Sequence, residues 1–189
     1  MLAIAASVAA AASSSDSSQA AASGTQGVCE RYISQAARTY DVPIGVLYAV
    51  GLTESGRKGG LNPYALNIAG ESRFPVSVES AMREFRAAQR RGIRLIDIGC
   101  MQINHHYHHD NFPSDLAMFD PARNVDYAAS FLKSLKKRHK TWAMAVASYH
   151  AGPDNDTAQK QYVCRVIGNM VASGTGKWTP EARQFCNQK

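Results

Sequence analysis

The chain has 189 residues, of which 45% are hydrophobic, so it is long enough to bury one sizeable core. Lys and Arg number 21 against 15 Asp and Glu, and the formal charge of +6 favours anionic polymers, such as those of a cell envelope or a nucleic acid, as partners. The basic residues are not interleaved with aromatic residues in a recognisable module, which argues against nucleic-acid binding.

Residues 1–27 are almost entirely Ala, Ser and Gly, with one acidic residue. The stretch from Leu2 to Ala12 resembles the apolar part of a secretory signal, and Ala10 and Ala12 are spaced as in a cleavage site. That stretch is too short to cross a bilayer, and no other segment is apolar enough to do so. We therefore expect a signal-like or disordered tail at residues 1–27, one domain at residues 28–189, and a periplasmic or secreted protein.

Four cysteines fit an exported protein with two disulfides, and none has the spacing of zinc ligands: Cys29, Cys100, Cys164 and Cys186. Three connectivities are open to them. We favour Cys29 with Cys100 and Cys164 with Cys186, because the second pair would attach the end of the chain to the last long helix. The alternative is four buried free thiols.

The first half of the domain is predicted to form amphipathic helices separated by turns. Apolar residues recur at helical spacing over Ile33–Tyr40, and the turn Asp41–Pro43 begins a second helix that runs to about Glu54. A glycine-rich loop, Gly56–Pro63, follows, and a third helix is predicted from about Val78 to Arg91. No alternating strand pattern competes, so the fold is predicted to be mainly α.

The second half continues in the same way after Ile96–Asn104, a short apolar piece that its period does not assign to a turn or a strand. Asp120 and Pro121 form the N-cap and first turn of a long helix. Its basic end, Lys136–Lys140, is interpreted as a solvated helix end. The remaining predicted helices are one over Trp142–Tyr149 that ends at Gly152 and Pro153, one over Val163–Met170, and a last short one that begins at Thr179 and Pro180.

Glu54 occupies a position where the helical pattern expects an apolar residue, since Leu47 and Val50 precede it on the same face. Its carboxyl group is therefore aimed into the core, where burial disfavours the charged form and raises the pKa. Such a group suits a general acid that holds a proton near neutral pH. The alternative is a carboxylate at the helix end that reaches solvent or pairs with Arg57.

Three polar side chains in apolar surroundings are further candidates. Tyr149 shares an apolar helical face with Trp142 and Val146, so its hydroxyl needs a partner, for which Glu54 is a candidate. It is otherwise an ordinary core tyrosine. Gln102 and Asn104 carry amides, which donate and accept hydrogen bonds as sugar hydroxyls and N-acetyl groups require. The alternative is a polar turn with local hydrogen bonds.

Taken together, these segments resemble the lytic transglycosylases, relatives of goose-type lysozyme, over roughly Cys29 to Gly168. The resemblance rests on three short motifs in the family's order and one later Tyr and Arg-Val element: Glu54–Ser55 with Asn62–Ala65, Gly99–Asn104, Ser148–Gly152, and Tyr162 with Arg165 and Val166. It implies a single lysozyme-like helical domain whose groove binds peptidoglycan glycan strands without a cofactor or a metal. It also implies one catalytic residue, Glu54, and five substrate-binding residues, namely Ser55, Gln102, Asn104, Tyr149 and Tyr162.

The chain departs from the family pattern at two positions and in one segment. Cys100 replaces the usual Leu, which supports a disulfide to Cys29, and His150 replaces the usual Asn. An insert at about residues 71–98 separates the first two motifs. This spacer resembles that of muramidases that accompany type IV secretion systems or flagella, which implies partners from such a system.

By resemblance, Glu54 protonates the glycosidic oxygen between N-acetylmuramic acid and N-acetylglucosamine, and its carboxylate then takes a proton from the sugar's own primary hydroxyl. That hydroxyl closes an anhydromuramoyl ring. Ordinary hydrolysis commonly uses two carboxyl groups, and Glu71 and Asp97 are candidates for the second, so a lysozyme-like hydrolase is the nearest alternative. A noncatalytic peptidoglycan-binding or assembly subunit is the alternative from another class, and an intact Glu54 argues against it.

Four histidines are clustered after the second motif, and Asp110 follows them: His105, His106, His108 and His109. Adjacent histidines on a short turn point in different directions, and no Cys, Asp or Glu other than Asp110 completes a recognisable ligand spacing. We interpret the cluster as a polar rim of the sugar groove, and we predict no metal site.

Overall fold

The computed structural model describes residues 27–57, 60–151 and 156–187. The tail predicted at residues 1–27 lies outside these residues apart from Gly27. The helix end predicted at Gly152 and Pro153 also lies outside them, as does Gly59 of the predicted loop.

The domain is mainly α-helical, as predicted. Its helices are α1 (Val28–Thr39), α2 (Ile44–Ser55), α3 (Val78–Arg90), α4 (His105–His108), α5 (Asp115–Met118), α6 (Pro121–His139), α7 (Trp142–Ala151), α8 (Asp156–Ala172) and α9 (Pro180–Cys186), with a 3-10 turn at His109–Asn111. Its strands are β1 (Gly56–Arg57), β2 (Gly60–Leu61), β3 (Leu66–Ile68), β4 (Glu71–Arg73), β5 (Ile96–Ile98) and β6 (Ile103–Asn104). None of the helices in the described ranges is both long and apolar enough to cross a bilayer.

The helix boundaries follow local hydrogen bonding. At the start of α6 the Asp120 side chain accepts a hydrogen bond of 2.8 Å from the Ala122 N–H, and Pro121 occupies the first turn. The helix ends at Lys140, whose φ of 67° is left-handed, and its last turn carries the basic residues that complement the helix dipole. The prediction that Lys136–Lys140 closes a helix is therefore confirmed.

The strands were not predicted, because each contains only two or three residues and none is long enough to show an alternating pattern. Four of them form an antiparallel sheet in the order β4–β3–β5–β6, and β1 pairs with β2 in a small ribbon. The stretch Ile96–Asn104 consists of two strands joined by a tight turn. The predicted insert contributes β4, α3 and β5, and both of its strands pair with β3.

The hydrophobic core joins the helices to the sheet, and two disulfides involve the first and last described helices. Cys29 of α1 is bonded to Cys100, with the Cα atoms 5.8 Å apart. Cys164 of α8 is bonded to Cys186 of α9, with the Cα atoms 5.6 Å apart. Both favoured pairings are confirmed, and all four cysteines are used.

Candidate active site

Glu54 is the penultimate residue of α2, and only 14% of its side chain is exposed. Leu47 and Val50, which share its face, are fully buried. Burial raises the pKa of Glu54 from 4.5 to about 7, against the hydrogen bond from Tyr162, which lowers it. The charge of Asp97 raises this pKa further, and the charge of Arg165 lowers it. The carboxyl group is therefore extensively protonated near neutral pH.

Tyr162 is the hydrogen-bond partner of Glu54. Its hydroxyl donates to Oε1 of Glu54 at 2.5 Å, and its side chain is fully buried on α8, which packs along α2. Burial and the neighbouring Glu54 raise the pKa of Tyr162 well above its usual value, so the phenol keeps its proton and remains a donor. Nothing in the sequence indicated which tyrosine would reach Glu54.

Glu54, one candidate partner for the Tyr149 hydroxyl, is not the partner that this hydroxyl has in the structure. The Tyr149 hydroxyl donates instead to the carbonyl oxygen of Met101 at 2.8 Å, because α7 brings this side chain against the turn between β5 and β6. The predicted alternative for Glu54 is wrong, since Arg57 is exposed and its guanidinium lies 4.3 Å from the centre of the Phe74 ring.

The turn Gly99–Gln102 lies against the end of α2. The buried hydroxyl of Ser55 donates to the carbonyl oxygen of Cys100 at 2.6 Å. Gln102 has a left-handed φ of 47°. Its side-chain Nε2 donates to the carbonyl oxygens of Ala65 and Gly99, both at 3.0 Å. The side chains of Ser55 and Gln102 thus use their donors within the protein, where they hold the turn in place.

Asn124 of α6 also supports this turn, and this role was not predicted from the sequence. It is fully buried, and its Oδ1 accepts a hydrogen bond of 2.9 Å from the Met101 N–H. Its Nδ2 donates to the carbonyl oxygens of Ile98 at 2.9 Å and Met118 at 3.0 Å. Gly99 has a φ of +81°, and a Cβ there would lie 2.7 Å from the Asn124 amide. A polar residue at the start of an otherwise apolar helical face was the available signal.

Replacing Asn124 by Ala is expected to lower the free energy of unfolding by about 2 kcal/mol, because it removes three buried hydrogen bonds to the backbone. Urea unfolding measures this loss. Asn169→Ala is the matched control, since Asn169 makes one part-buried hydrogen bond of 2.9 Å, to Thr53. Equal losses in the two variants would contradict the role given to Asn124.

The model of the Transglycosylase SLT domain family matches residues 31–167, from α1 to α8. The chain belongs to this family. Searches of curated proteins and of solved structures found no match. The matched range contains Glu54, Tyr149, Tyr162 and the turn Gly99–Gln102. This family membership indicates lytic-transglycosylase-type cleavage of peptidoglycan.

Asp97 and Glu71 were the candidates for a second carboxyl group. Asp97 lies close enough to Glu54 for its charge to act on it, whereas Glu71 is exposed. Asp97 and Asn104 face each other across β5 and β6, and Nδ2 of Asn104 donates to Oδ1 of Asp97 at 2.7 Å. Burial raises the pKa of Asp97, and the hydrogen bond from Asn104 partly offsets this. Glu71 has a side chain 71% exposed and pairs with Arg73 at 2.5 Å.

His150, the second departure from the family pattern, lies beside the carboxyl group of Glu54. Its Nδ1 is 3.9 Å from Oε1 of Glu54, and 38% of its side chain is exposed. The imidazole stacks on the Tyr162 ring, with the ring centres 4.2 Å apart and the planes at 3°. Burial and the charge of Arg165 lower the pKa of His150.

Residues of the histidine cluster contact neighbouring side chains, and the His105 and His109 rings also stack on each other with their centres 5.0 Å apart. His105 Nε2 lies 2.9 Å from Oδ1 of Asp115, and His108 Nδ1 lies 2.8 Å from the Tyr127 hydroxyl. His109 Nε2 lies 3.1 Å from Oδ1 of Asp110. Within the described ranges, no group of three or more His, Cys, Asp or Glu side chains is arranged to hold a metal ion.

Proposed function

We propose that this protein is a peptidoglycan lytic transglycosylase that cleaves the bond between N-acetylmuramic acid and N-acetylglucosamine, with Glu54 as acid and base. The observation that carries the proposal is the buried carboxyl group of Glu54, whose pKa is about 7. A group with this pKa is protonated often enough to donate near neutral pH and is still basic enough to take a proton back.

The reaction begins when Glu54 gives its proton to the glycosidic oxygen, so that the bond to the muramoyl carbon breaks and the N-acetylglucosamine end leaves as an alcohol. The new carboxylate is stabilised by the Tyr162 hydroxyl at 2.5 Å. The carboxylate then takes the proton of the sugar's primary hydroxyl, whose oxygen bonds to the muramoyl carbon. Glu54 is protonated again, and no water is consumed.

The roles that we assign to the other predicted site residues are part of this proposal. Tyr149 and Gln102 set the shape of the turn beside Glu54 through their bonds to Met101, Ala65 and Gly99. Ser55 is enclosed, so we assign it to positioning this turn. Asn104 presents an amide next to Asp97.

Peptidoglycan lies outside the cytoplasm, and the two disulfides fit that compartment, so a periplasmic or secreted location belongs to the proposal. The partnership with a type IV secretion system or a flagellum stays a prediction from the resemblance of the insert. Its residues contribute to the sheet through β4 and β5, so the insert is an integral part of the domain.

A hydrolase that uses Asp97 as its second carboxyl group is the other candidate, because Asp97 lies close enough for its charge to raise the pKa of Glu54. Mass spectrometry of muropeptides released from purified sacculi separates the two reactions. We expect anhydromuramoyl ends from the wild-type protein and from Asp97→Asn, since ring closure needs Glu54 alone. Products heavier by one water would favour the hydrolase.

A further inference from the structure

His150 differs from the family's usual Asn in being able to gain a charge beside Glu54. Its Nδ1 is 3.9 Å from Oε1, the same oxygen that accepts the Tyr162 hydrogen bond. Its ring lies parallel to the phenol, with the centres 4.2 Å apart. Because 38% of the side chain is exposed, the imidazole can exchange protons with solvent without opening the site.

We propose that His150 is a positioning residue for Glu54 and Tyr162 and that its protonation sets the pH below which activity falls. The neutral imidazole holds the Tyr162 phenol against Glu54. The protonated imidazole places a positive charge beside the carboxyl group and weakens it as a base. The inference rests on the proposed role of Glu54 as acid and base.

The charged groups around His150 come from different elements. Glu54 approaches it from α2, and Tyr162 and Arg165 approach it from α8. Its neighbour on α7, Tyr149, has a pKa well above the usual value and stays neutral. Burial and then the cationic Arg165 lower the pKa of His150, so the imidazole is neutral when Glu54 titrates near 7.

The chemical consequence falls on the second half of the reaction. After Glu54 has donated its proton, the carboxylate has to take a proton from the primary hydroxyl of the sugar. A positive charge 3.9 Å away stabilises the carboxylate and lowers its pKa, so it takes that proton less readily. An Asn at this position does not titrate, and it would leave the carboxylate equally basic at lower pH.

The pH dependence of kcat/KM on soluble glycan strands tests this limit. In the wild-type protein we expect activity to fall as the pH drops below the imidazole's pKa and to level off where the imidazole is fully protonated. In His150→Asn and His150→Phe this acidic fall should disappear. Phe keeps a ring against Tyr162 without a charge, so it separates titration from stacking. Activity at each pH is divided by the folded fraction measured at that pH by circular dichroism, so a change of stability with pH does not count as titration of His150.

His139→Asn is the matched control, because His139 is bonded to Ser148 at 3.0 Å and does not contact Glu54 in the described structure. This variant should keep the acidic fall of the wild type. If His150→Asn and His150→Phe also keep it, the proposal is wrong.

NMR titration of the imidazole signals gives a second readout that needs no substrate. The His150 signals are those absent from His150→Asn. In the wild-type protein they should show two inflections, with the upper one at the pKa of Glu54, and in Glu54→Gln they should show one. A single unchanged inflection in both proteins would overturn the proposal. Two inflections in a protein without activity on sacculi would contradict the proposed function and leave the coupling of the two groups standing.

Discussion

The Glu54→Gln variant is expected to release dye from labelled sacculi more slowly than the wild type by a factor of about 10²–10⁴, the usual contribution of a general acid and base. Gln has nearly the shape of Glu and can accept the Tyr162 hydrogen bond, but its amide is not acidic and cannot transfer a proton to the glycosidic oxygen. The loss should appear mainly in kcat, because glycan binding needs no ionisation of Glu54.

The matched control for this prediction is Glu30→Gln. Glu30 is another partly buried carboxyl group, which accepts a hydrogen bond of 2.9 Å from the Leu61 N–H and lies on α1. It should keep wild-type activity. Equally low dye release by the wild-type protein and Glu54→Gln would favour the noncatalytic peptidoglycan-binding subunit.

The Glu54→Gln substitution should also change how the free energy of unfolding depends on pH. The pKa of Glu54 is about 7 in the folded protein and 4.5 in its unperturbed state, so the unfolded chain releases its proton first. Glu54 therefore contributes most to the free energy of unfolding of the wild-type protein below pH 4.5. About 3 kcal/mol of this free energy is lost as the pH rises from 4.5 through 7. Urea unfolding at several pH values should show that Glu54→Gln removes this loss.

The second large effect is expected from removing the disulfide between Cys29 and Cys100. It closes a loop with a sequence separation of 71 residues, so the double Ala variant should lose about 4 kcal/mol of unfolding free energy in urea. Activity per folded molecule should fall as well. The reason is that Cys100 is part of the turn that carries Met101, the partner of Tyr149.

The disulfide between Cys164 and Cys186 provides the comparison. Its sequence separation is 22 residues, and its removal should cost about 3 kcal/mol. It attaches α9 to α8 and includes no residue of the turn Gly99–Gln102, so the folded molecules should remain active. An equal loss of activity in the two double variants would contradict the claim that Cys100 supports the site.

Sequence periodicity was sufficient to place Glu54 on an apolar helical face and to find the longer helices, whereas the four-residue helices α4 and α5 were not predicted. A carboxyl group in line with Leu47 and Val50 is visible without a structure, and burial of that helical face follows from the same pattern. The caps at Asp120 and Thr179 are equally local, since each depends on hydrogen bonds to the next few residues.

The partners of the buried polar groups were not predictable in this way. Whether Tyr149 or Tyr162 reaches Glu54 depends on how α7 and α8 cross α2, over a separation of 108 residues for the bond that forms. The support of Met101 by Asn124 is of the same kind. The short strands were not predicted because two or three residues cannot display an alternating pattern.

The central claim is that Glu54 holds a proton near neutral pH, and a carbon-13 NMR titration of its carboxyl group measures this directly. The signal is identified by its absence in Glu54→Gln. We expect a midpoint at about pH 7, matching the alkaline fall of kcat/KM. A midpoint near the unperturbed value of 4.5 would mean that Glu54 is a carboxylate at neutral pH, and it would contradict the account.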